Sequence, residues 1–159
     1  MAVNRMGALQ RHLAEAGFGD KVRLLAITYE PQFDTPERIN RYATDRGLRL
    51  GENALALQLD TARHQQLVDE LQAPVNYNAG WVNAHGVELS LLDAKGRLVR
   101  KYHTVLWSND QVMTDVKEVL GGRKSPGIRL LGPRFAYYHA APTVHSGSGA
   151  QRCETRFWR

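Results

Sequence analysis

Few side chains in this sequence have the types and the spacing that a reactive site needs. The single cysteine, Cys153, lies close to the C-terminus, so the chain can form neither an internal disulfide nor a CxxC or CxxxC pair. Asp34 and Glu37 could form a carboxylate pair for acid–base chemistry, but they also have the spacing of a capping box at a helix start. We favour the capping role, which leaves the histidines as the main candidates for chemistry.

The histidines differ in what they could do. His85 precedes Gly86 in a predicted loop and, from its local sequence alone, resembles an ordinary loop histidine that could also bind a metal. His103 ends a predicted strand and could lie near His85, although its position is more typical of a surface residue. His12 and His64 lie on predicted helices with many polar residues, which predicts solvated side chains.

The hydrophobic pattern predicts an α/β chain in the order helix, strand, helix, helix, hairpin, helix. The largely apolar residues 21–29 are typical of a buried parallel strand. Residues 55–57 are also apolar but too few to assign. A hairpin is expected over residues 87–102, because a turn of Asp-x-x-Gly type at 93–96 joins two strand-like runs.

The four predicted helices have start and stop signals. Pro36 falls in the first turn of the second helix, and Asp60 and Ser108 are the expected caps of the third and fourth. The stops are three glycines and a proline, at Gly17, Gly47, Pro74 and Gly121. The inner face of the last helix is expected to consist of Val112, Met113, Val116, Val119 and Leu120.

Charge divides the chain into two parts. Residues 1–120 have a net charge of −1 and residues 121–159 one of +6. We interpret the first part as one domain and the second as a basic, disordered extension. The extension also holds His139, His145 and Cys153, but their spacing matches no zinc or copper pattern.

Several function classes lack their sequence signals. No stretch approaches the roughly 18 consecutive apolar residues of a membrane span, and no apolar signal-peptide region follows Met1. The chain has no nucleophile elbow, phosphate loop or HExxH helix. Because the excess positive charge belongs to the tail alone, no specific nucleic-acid binding is predicted.

Two runs of the sequence resemble the SCO/SenC family of copper proteins. Residues 22–47, VRLLAITYEPQFDTPERINRYATDRG, are similar to that family's strand, acidic-proline loop, Asp-Thr-Pro motif and helix. Residues 85–102, HGVELSLLDAKGRLVRKY, are similar to its histidine, hairpin strand, Asp-x-x-Gly turn and return strand. With the first helix, the resemblance covers residues 3–120. The family markers with a structural role are Pro31, Asp34, Thr35 and Pro36.

The resemblance implies a thioredoxin-like, three-layer α/β fold with a C-terminal β-hairpin and a closing helix. Members of the family bind one copper ion, as Cu(I) or Cu(II), through a CxxxC pair and a distal histidine, which corresponds to His85 here. They help to assemble the copper site of cytochrome c oxidase, and some are proposed to reduce thiols. The resemblance thus implies delivery more than enzymatic catalysis, with the copper-site subunit of the oxidase or another copper chaperone as partner.

Members of the family are usually anchored by an N-terminal membrane segment, and their domain faces the periplasm or the mitochondrial intermembrane space. The resemblance implies the same localisation for this protein. The sequence itself shows no targeting signal and no membrane segment.

Two departures from the family pattern bear on function. Glu30 stands where the family has aspartate before the proline, which keeps the charge of the loop. The first helix is similar to the one that directly follows the CxxxC, so we expect both thiolate ligands and the first strand of the fold to be missing from this chain. Because soft sulfur binds Cu(I) while imidazole accepts both oxidation states, His85 alone should bind copper weakly.

Two other functions stay open at this point. A thioredoxin-like remnant with no metal role could act as a binding module, with the basic tail making salt-dependent contacts to nucleic acid or anionic lipid. A peroxiredoxin-like enzyme on the same fold would also need an upstream cysteine, but its chemistry would not need His85. Copper affinity and peroxide turnover would separate these functions.

Overall fold

The computed structural model describes residues 2–78, 81–103 and 107–122. Within these ranges the chain forms four helices and three two-stranded sheets. The helices are α1 (Ala2–Glu15), α2 (Pro36–Thr44), α3 (Thr61–Leu71) and α4 (Asn109–Leu120). The strands are β1 (Leu24–Ile27), β2 (Ala54–Leu57), β3 (Val75–Asn78), β4 (Trp81–His85), β5 (Glu88–Leu92) and β6 (Leu98–His103). Of the predicted basic extension, only its first two residues are described, and the remainder lies outside these ranges.

The α/β pattern predicted from the sequence is confirmed by a parallel pair of strands. β1 pairs with β2 in parallel, with Leu24 opposite Ala54 and Ile27 opposite Leu57. The run 55–57, too short to assign from its sequence, is thus part of a half-buried strand. A chain that leaves one parallel strand must cross over before it can form the next, and α2 is that crossover.

Two antiparallel hairpins follow, of which the sequence predicted one. β5 and β6 form the expected hairpin, and the Asp93 carboxylate closes its turn by accepting hydrogen bonds from the backbone N–H groups of Lys95 and Arg97. β3 and β4 form a further hairpin that is absent from the predicted order. Its strands carry three asparagines, a residue type depleted in strands, so their composition hides the pairing.

One hydrophobic core joins the helices to the sheets. α1 contributes Met6, Leu9 and Leu13, and α4 contributes Val112, Met113 and Val116; these pack with residues from the strands and loops that include Leu24, Ala54 and Tyr102. The predicted inner face of α4 is correct for these positions but wrong for Leu120, which is 42% exposed. Leu120 lies in the last turn of the helix, which extends past the end of the core.

A buried hydrogen bond and a partly exposed ion pair connect α4 to the β5–β6 hairpin. The Tyr102 hydroxyl donates to the Asp115 carboxylate over 2.5 Å, and Arg100 lies 3.3 Å from the same carboxylate. Burial, and then the bond to Asp115, raise the pKa of Tyr102 well above its usual range. Asp115 therefore has both a neutral donor and a cation as partners, which compensates for the cost of burying its charge.

The orientation of α1 is fixed by a hydrogen-bonded cluster of buried amides. Gln10 Nε2 donates to Asn53 Oδ1 over 2.9 Å and to the Arg49 carbonyl over 2.8 Å, while Arg49 N donates back to Gln10 Oε1. Asn53 Nδ2 donates in turn to the Val22 carbonyl. These contacts hold the C-terminal half of α1 beside the segments that lead into β1 and β2.

The close approach of α1 to the loop after α2 depends on Gly7. A Cβ atom at position 7 would lie 2.6 Å from the Gly47 carbonyl oxygen, which is too close for two atoms that are not bonded to each other. The glycine lowers the helix propensity of α1 by about 1 kcal/mol compared with alanine, and the contact explains why it is present nonetheless.

We expect Gly7→Ala to lower the free energy of unfolding by about 1–3 kcal/mol, because the helix must move away from the loop. Urea denaturation measures this change. Asn4→Ala, at an exposed position of the same helix, is the control and should raise stability by about 0.5 kcal/mol. A stabilised Gly7→Ala variant would contradict the close contact.

His64 is buried, so the prediction that it is solvated is wrong. His64 is only 5% exposed, because it lies on the side of α3 that faces the interior of the domain. The ring hydrogen-bonds the backbone of Thr28, and burial, the larger effect, lowers its pKa below the usual value.

The buried imidazole predicts a loss of stability in mild acid. Because the pKa of His64 is lower in the folded state than its unfolded value of about 6.5, its contribution is complete above that pH and is lost as the pH falls below it. We expect the unfolding free energy of the wild type to fall relative to that of His64→Gln between about pH 7.5 and about pH 5.5. Parallel pH profiles for the two proteins would show that His64 does not titrate differently on folding.

Candidate functional site

Two exposed rings meet at the point where β1 and β4 end. Tyr29 lies two residues beyond β1, and His85 is the last residue of β4. The Tyr29 hydroxyl lies 2.9 Å from His85 Nε2, and the two rings stack with centroids 4.2 Å apart and planes inclined by 30°. Within the described part of the chain, Nδ1 of His85 has no hydrogen-bond partner. The imidazole is therefore held at the surface by one phenol, with one nitrogen available.

The loop that carries Tyr29 is closed by hydrogen bonds at both of its ends. The Thr28 hydroxyl donates to the Asp34 carboxylate and accepts from the backbone N–H of Glu30. The side chain of Gln58, just after β2, donates to the carbonyls of Pro31 and Asp34 over 2.7 and 2.8 Å. These bonds span the Glu-Pro and Asp-Thr-Pro segments of the sequence, so the loop is set before any ligand arrives.

The cap of α2 is Thr35, so the predicted capping box beginning at Asp34 is wrong. Thr35 Oγ1 accepts from the backbone N–H of Arg38, and Pro36 is the first helical residue. Asp34 cannot cap because its carboxylate is bound to Thr28. Glu37 does lie in the first turn, where its own backbone N–H and the Thr35 hydroxyl lower the pKa of its carboxyl group.

Partial burial, and to a smaller extent nearby ionisable groups, keep Tyr29 protonated. Burial is the largest cause that raises the pKa of this phenol, and Glu30, Tyr42 and Asp34 raise it further. The hydroxyl thus keeps its proton at physiological pH, and Tyr29 acts as a neutral hydrogen-bonding partner. As a phenolate it would compete with the imidazole for a cation.

The other side of His85 is fixed by Gly86 and Pro74. The backbone N–H of Gly86 donates to the Pro74 carbonyl over 2.7 Å, and an open depression beside His85 is lined by Pro74, Val75, Asn76 and Ala84. A Cβ atom on Gly86 would lie 2.5 Å from Pro74 Cγ. This close packing leaves room for glycine alone after the histidine.

The side chain of His103 contacts Glu88, whereas that of His85 contacts Tyr29. His103 Nδ1 lies 2.8 Å from Glu88 Oε1, and the other oxygen of this carboxylate lies 3.0 Å from Lys101 Nζ. The His103 side chain is 68% exposed, as expected for a surface strand residue. His12 is half-buried in the last turn of α1, whereas His139, His145 and Cys153 lie outside the described residues.

The described residues do not by themselves form a metal cage. In residues 2–78, 81–103 and 107–122, no three histidine, cysteine, aspartate or glutamate side chains are placed to hold one ion. His85 supplies a single imidazole donor, and its partner Tyr29 was not anticipated from the sequence. A contact between residues 56 positions apart has no local sequence signal, and it depends on the position of the β3–β4 hairpin.

We expect Gly86→Ala to displace His85 at the end of β4 and to lower the free energy of unfolding by about 1–3 kcal/mol, because the new methyl group overlaps the Pro74 ring. Thermal or urea unfolding gives the stability, and the cross-peaks between the Tyr29 and His85 rings in an NMR spectrum report the contact. The double variant Gly86→Ala/Pro74→Ala should recover both, since it removes the ring. Unchanged ring contacts in Gly86→Ala would contradict this packing.

Comparison with solved structures supports the fold. The chain is similar to the crystal structure of a SCO1/SenC family lipoprotein from Bacillus anthracis str. Ames, with a TM-score of 0.64 and 20% sequence identity. The match covers 75% of this chain and 71% of that one. It confirms the thioredoxin-like α/β fold. None of the described helices is long and apolar enough to cross a membrane.

Comparison with sequences supports the family. No curated protein sequence matches the chain. The family model described as SCO1/SenC matches residues 1–121, which are most of the chain and include every described residue except the last, Gly122. The resemblance inferred from the two motifs is thereby confirmed, and this chain belongs to the SCO1/SenC family.

Proposed function

We propose that this protein handles copper as a cargo and serves cytochrome c oxidase assembly, either by delivering copper or by reducing the cysteines of the oxidase copper site. The observation that carries the proposal is the exposed imidazole of His85, held through Nε2 by Tyr29 while Nδ1 has no partner among the described residues. An imidazole nitrogen binds both Cu(I) and Cu(II), so His85 suits a site that must hold either state.

The position of α1 supports the same site. Arg5, in the N-terminal half of α1, donates to the Trp107 carbonyl over 2.5 Å, and its guanidinium lies 5.7 Å from the centre of the Trp107 ring. Trp107 comes shortly after the end of β6. The last residue of β6, His103, pairs with Glu88 at the start of β5, and Glu88 lies three residues after His85. α1 is thus bound to the segment that follows β6, while His85 lies just before β5, the partner of β6. A helix N-terminus stabilises nearby thiolates, the ligands that the family resemblance implies in front of this helix.

The side chains that this sequence offers as copper ligands predict weak copper binding. Cu(I) prefers soft sulfur ligands, and the single thiol, Cys153, lies outside the described residues. His85 supplies one nitrogen donor, which cannot by itself exclude water or competing ligands from a copper ion. We therefore expect a strong site only when thiolates join His85.

The proposal predicts a copper affinity that is low but dependent on His85. Anaerobic titration of the 159-residue chain against a chromophoric Cu(I) chelator should give a dissociation constant weaker than about 1 μM, the value for about −8.2 kcal/mol. With Cu(II), electron paramagnetic resonance should show nitrogen coupling that is lost in His85→Ala. His103→Ala is the matched control, because it removes an exposed imidazole that is bound to Glu88 instead of Tyr29.

Two results would contradict this proposal in different ways. Micromolar or tighter Cu(I) binding that His85→Ala abolishes would show that the chain needs no added thiolates. Equal nitrogen coupling in the wild type and in His85→Ala would show that His85 is not a ligand.

The cellular setting is part of the proposal. The similar Bacillus anthracis protein is a lipoprotein, and we extend membrane anchoring to this protein, with its domain facing the periplasm or the mitochondrial intermembrane space. The expected partner is the copper-site subunit of the oxidase or another copper chaperone. An exposed His85 is consistent with direct access by such a partner.

A further inference from the structure

We infer that Tyr29 is a positioning residue for His85: its hydroxyl accepts the Nε2–H of the imidazole, so that Nδ1 is the nitrogen that His85 presents to copper. This inference rests on the proposed function for the identity of the cargo. The placement of the proton does not depend on copper and can be tested without it.

The contact leaves the two imidazole nitrogens in different surroundings. Nε2 faces the Tyr29 hydroxyl at 2.9 Å, and the phenol ring covers one face of the imidazole. A cation that approached Nε2 would have to displace both the hydrogen bond and the stacked ring. Nδ1 has no partner within the described part of the chain, so a cation can reach it while both contacts remain.

The direction of the hydrogen bond decides whether His85 can act as a ligand through Nδ1. If the phenol donated its proton to Nε2, the neutral imidazole would carry its own proton on Nδ1 and would offer no lone pair there. If the phenol accepts, Nε2 carries the proton and the Nδ1 lone pair is available. Ligating histidines generally donate their second ring N–H to an oxygen atom, which fixes the tautomer and the ring orientation.

Tyr29 can perform this role because its own position is fixed. It lies between Thr28 and Glu30, whose side-chain and backbone groups bond to each other across it. Thr28 is bound to the Asp34 carboxylate as well, and Gln58 holds the loop from the other side. The hydroxyl is therefore presented by a closed loop, and the imidazole aligns to it.

Solution NMR of the metal-free, 15N-labelled chain tests the proton position directly. At a pH where imidazoles are neutral, we expect the ring nitrogen shifts of His85 to report a protonated Nε2 and an unprotonated Nδ1. We also expect slowed exchange of the Nε2 proton with water. This measurement needs no variant, and a protonated Nδ1 in the wild type would overturn the inference.

Tyr29→Phe then tests the hydroxyl while keeping an aromatic ring on the imidazole. Exchange of the His85 Nε2 proton should become about fivefold faster, the factor that corresponds to a net hydrogen-bond free energy of about 1 kcal/mol. Tyr42→Phe is the control, since Tyr42 is an exposed tyrosine of α2 whose ring lies against Arg46. An unchanged exchange rate in Tyr29→Phe would mean that the hydroxyl does not hold Nε2–H, and the inference would fail.

The failure of this inference and the failure of the proposed function can be told apart. If the Nε2 proton behaves as expected but copper binding does not depend on His85, the Tyr29–His85 pair stands and the copper proposal fails. If copper binding depends on His85 but the proton lies on Nδ1, the copper proposal stands and Tyr29 has no positioning role.

Discussion

Thr28 is the residue on which the arrangement of the candidate site depends. Its backbone N–H donates to the Leu57 carbonyl and continues the parallel pairing of β1 with β2. Its hydroxyl binds both Asp34 and the backbone of Glu30, and its backbone also bonds the buried ring of His64. One residue thus joins the end of β1 to the start of α2 and to the inner face of α3. The next residue along the chain is Tyr29, whose direction follows from these bonds.

His85, which contacts Tyr29, lies in a part of the chain that is distant in sequence. It is brought to Tyr29 by the β3–β4 hairpin and kept in place by the bond from Gly86 to the Pro74 carbonyl. Each part of the site has contacts of its own. Side-chain hydrogen bonds close the Tyr29 loop, and backbone pairing and a glycine with no space for a Cβ hold His85. Contacts that hold a metal-binding side chain near its bound geometry reduce the entropy lost on binding.

The sequence predicted the elements whose signals are local. α1, α3 and α4 follow from the spacing of their apolar residues, and α3 and α4 also from their N-caps. The β5–β6 hairpin follows from its alternation and its Asp-x-x-Gly turn. What it did not predict depends on contacts between distant residues. Asp34 has the spacing of a cap, yet its carboxylate bonds Thr28 and leaves capping to Thr35. His64 has polar neighbours in the sequence, yet the fold turns it inward. The pairing of Tyr29 with His85 likewise depends on a hairpin that its asparagine-rich composition concealed.

The exposure of His85 bears on the proposed copper function, because a resident ion and a carried ion need different surroundings. A resident metal ion is usually enclosed by three or four protein ligands, whereas a carried ion must be reachable by the groups that receive it. Among the described residues, His85 is not part of any group of three or more histidine, cysteine, aspartate or glutamate side chains that could enclose a metal ion. An imidazole that is oriented yet open to solvent can share an ion with ligands of a second molecule while β4, which carries it, stays folded. The exposed position of His85 therefore fits the proposed copper function better as a site of transfer than as a resident metal site.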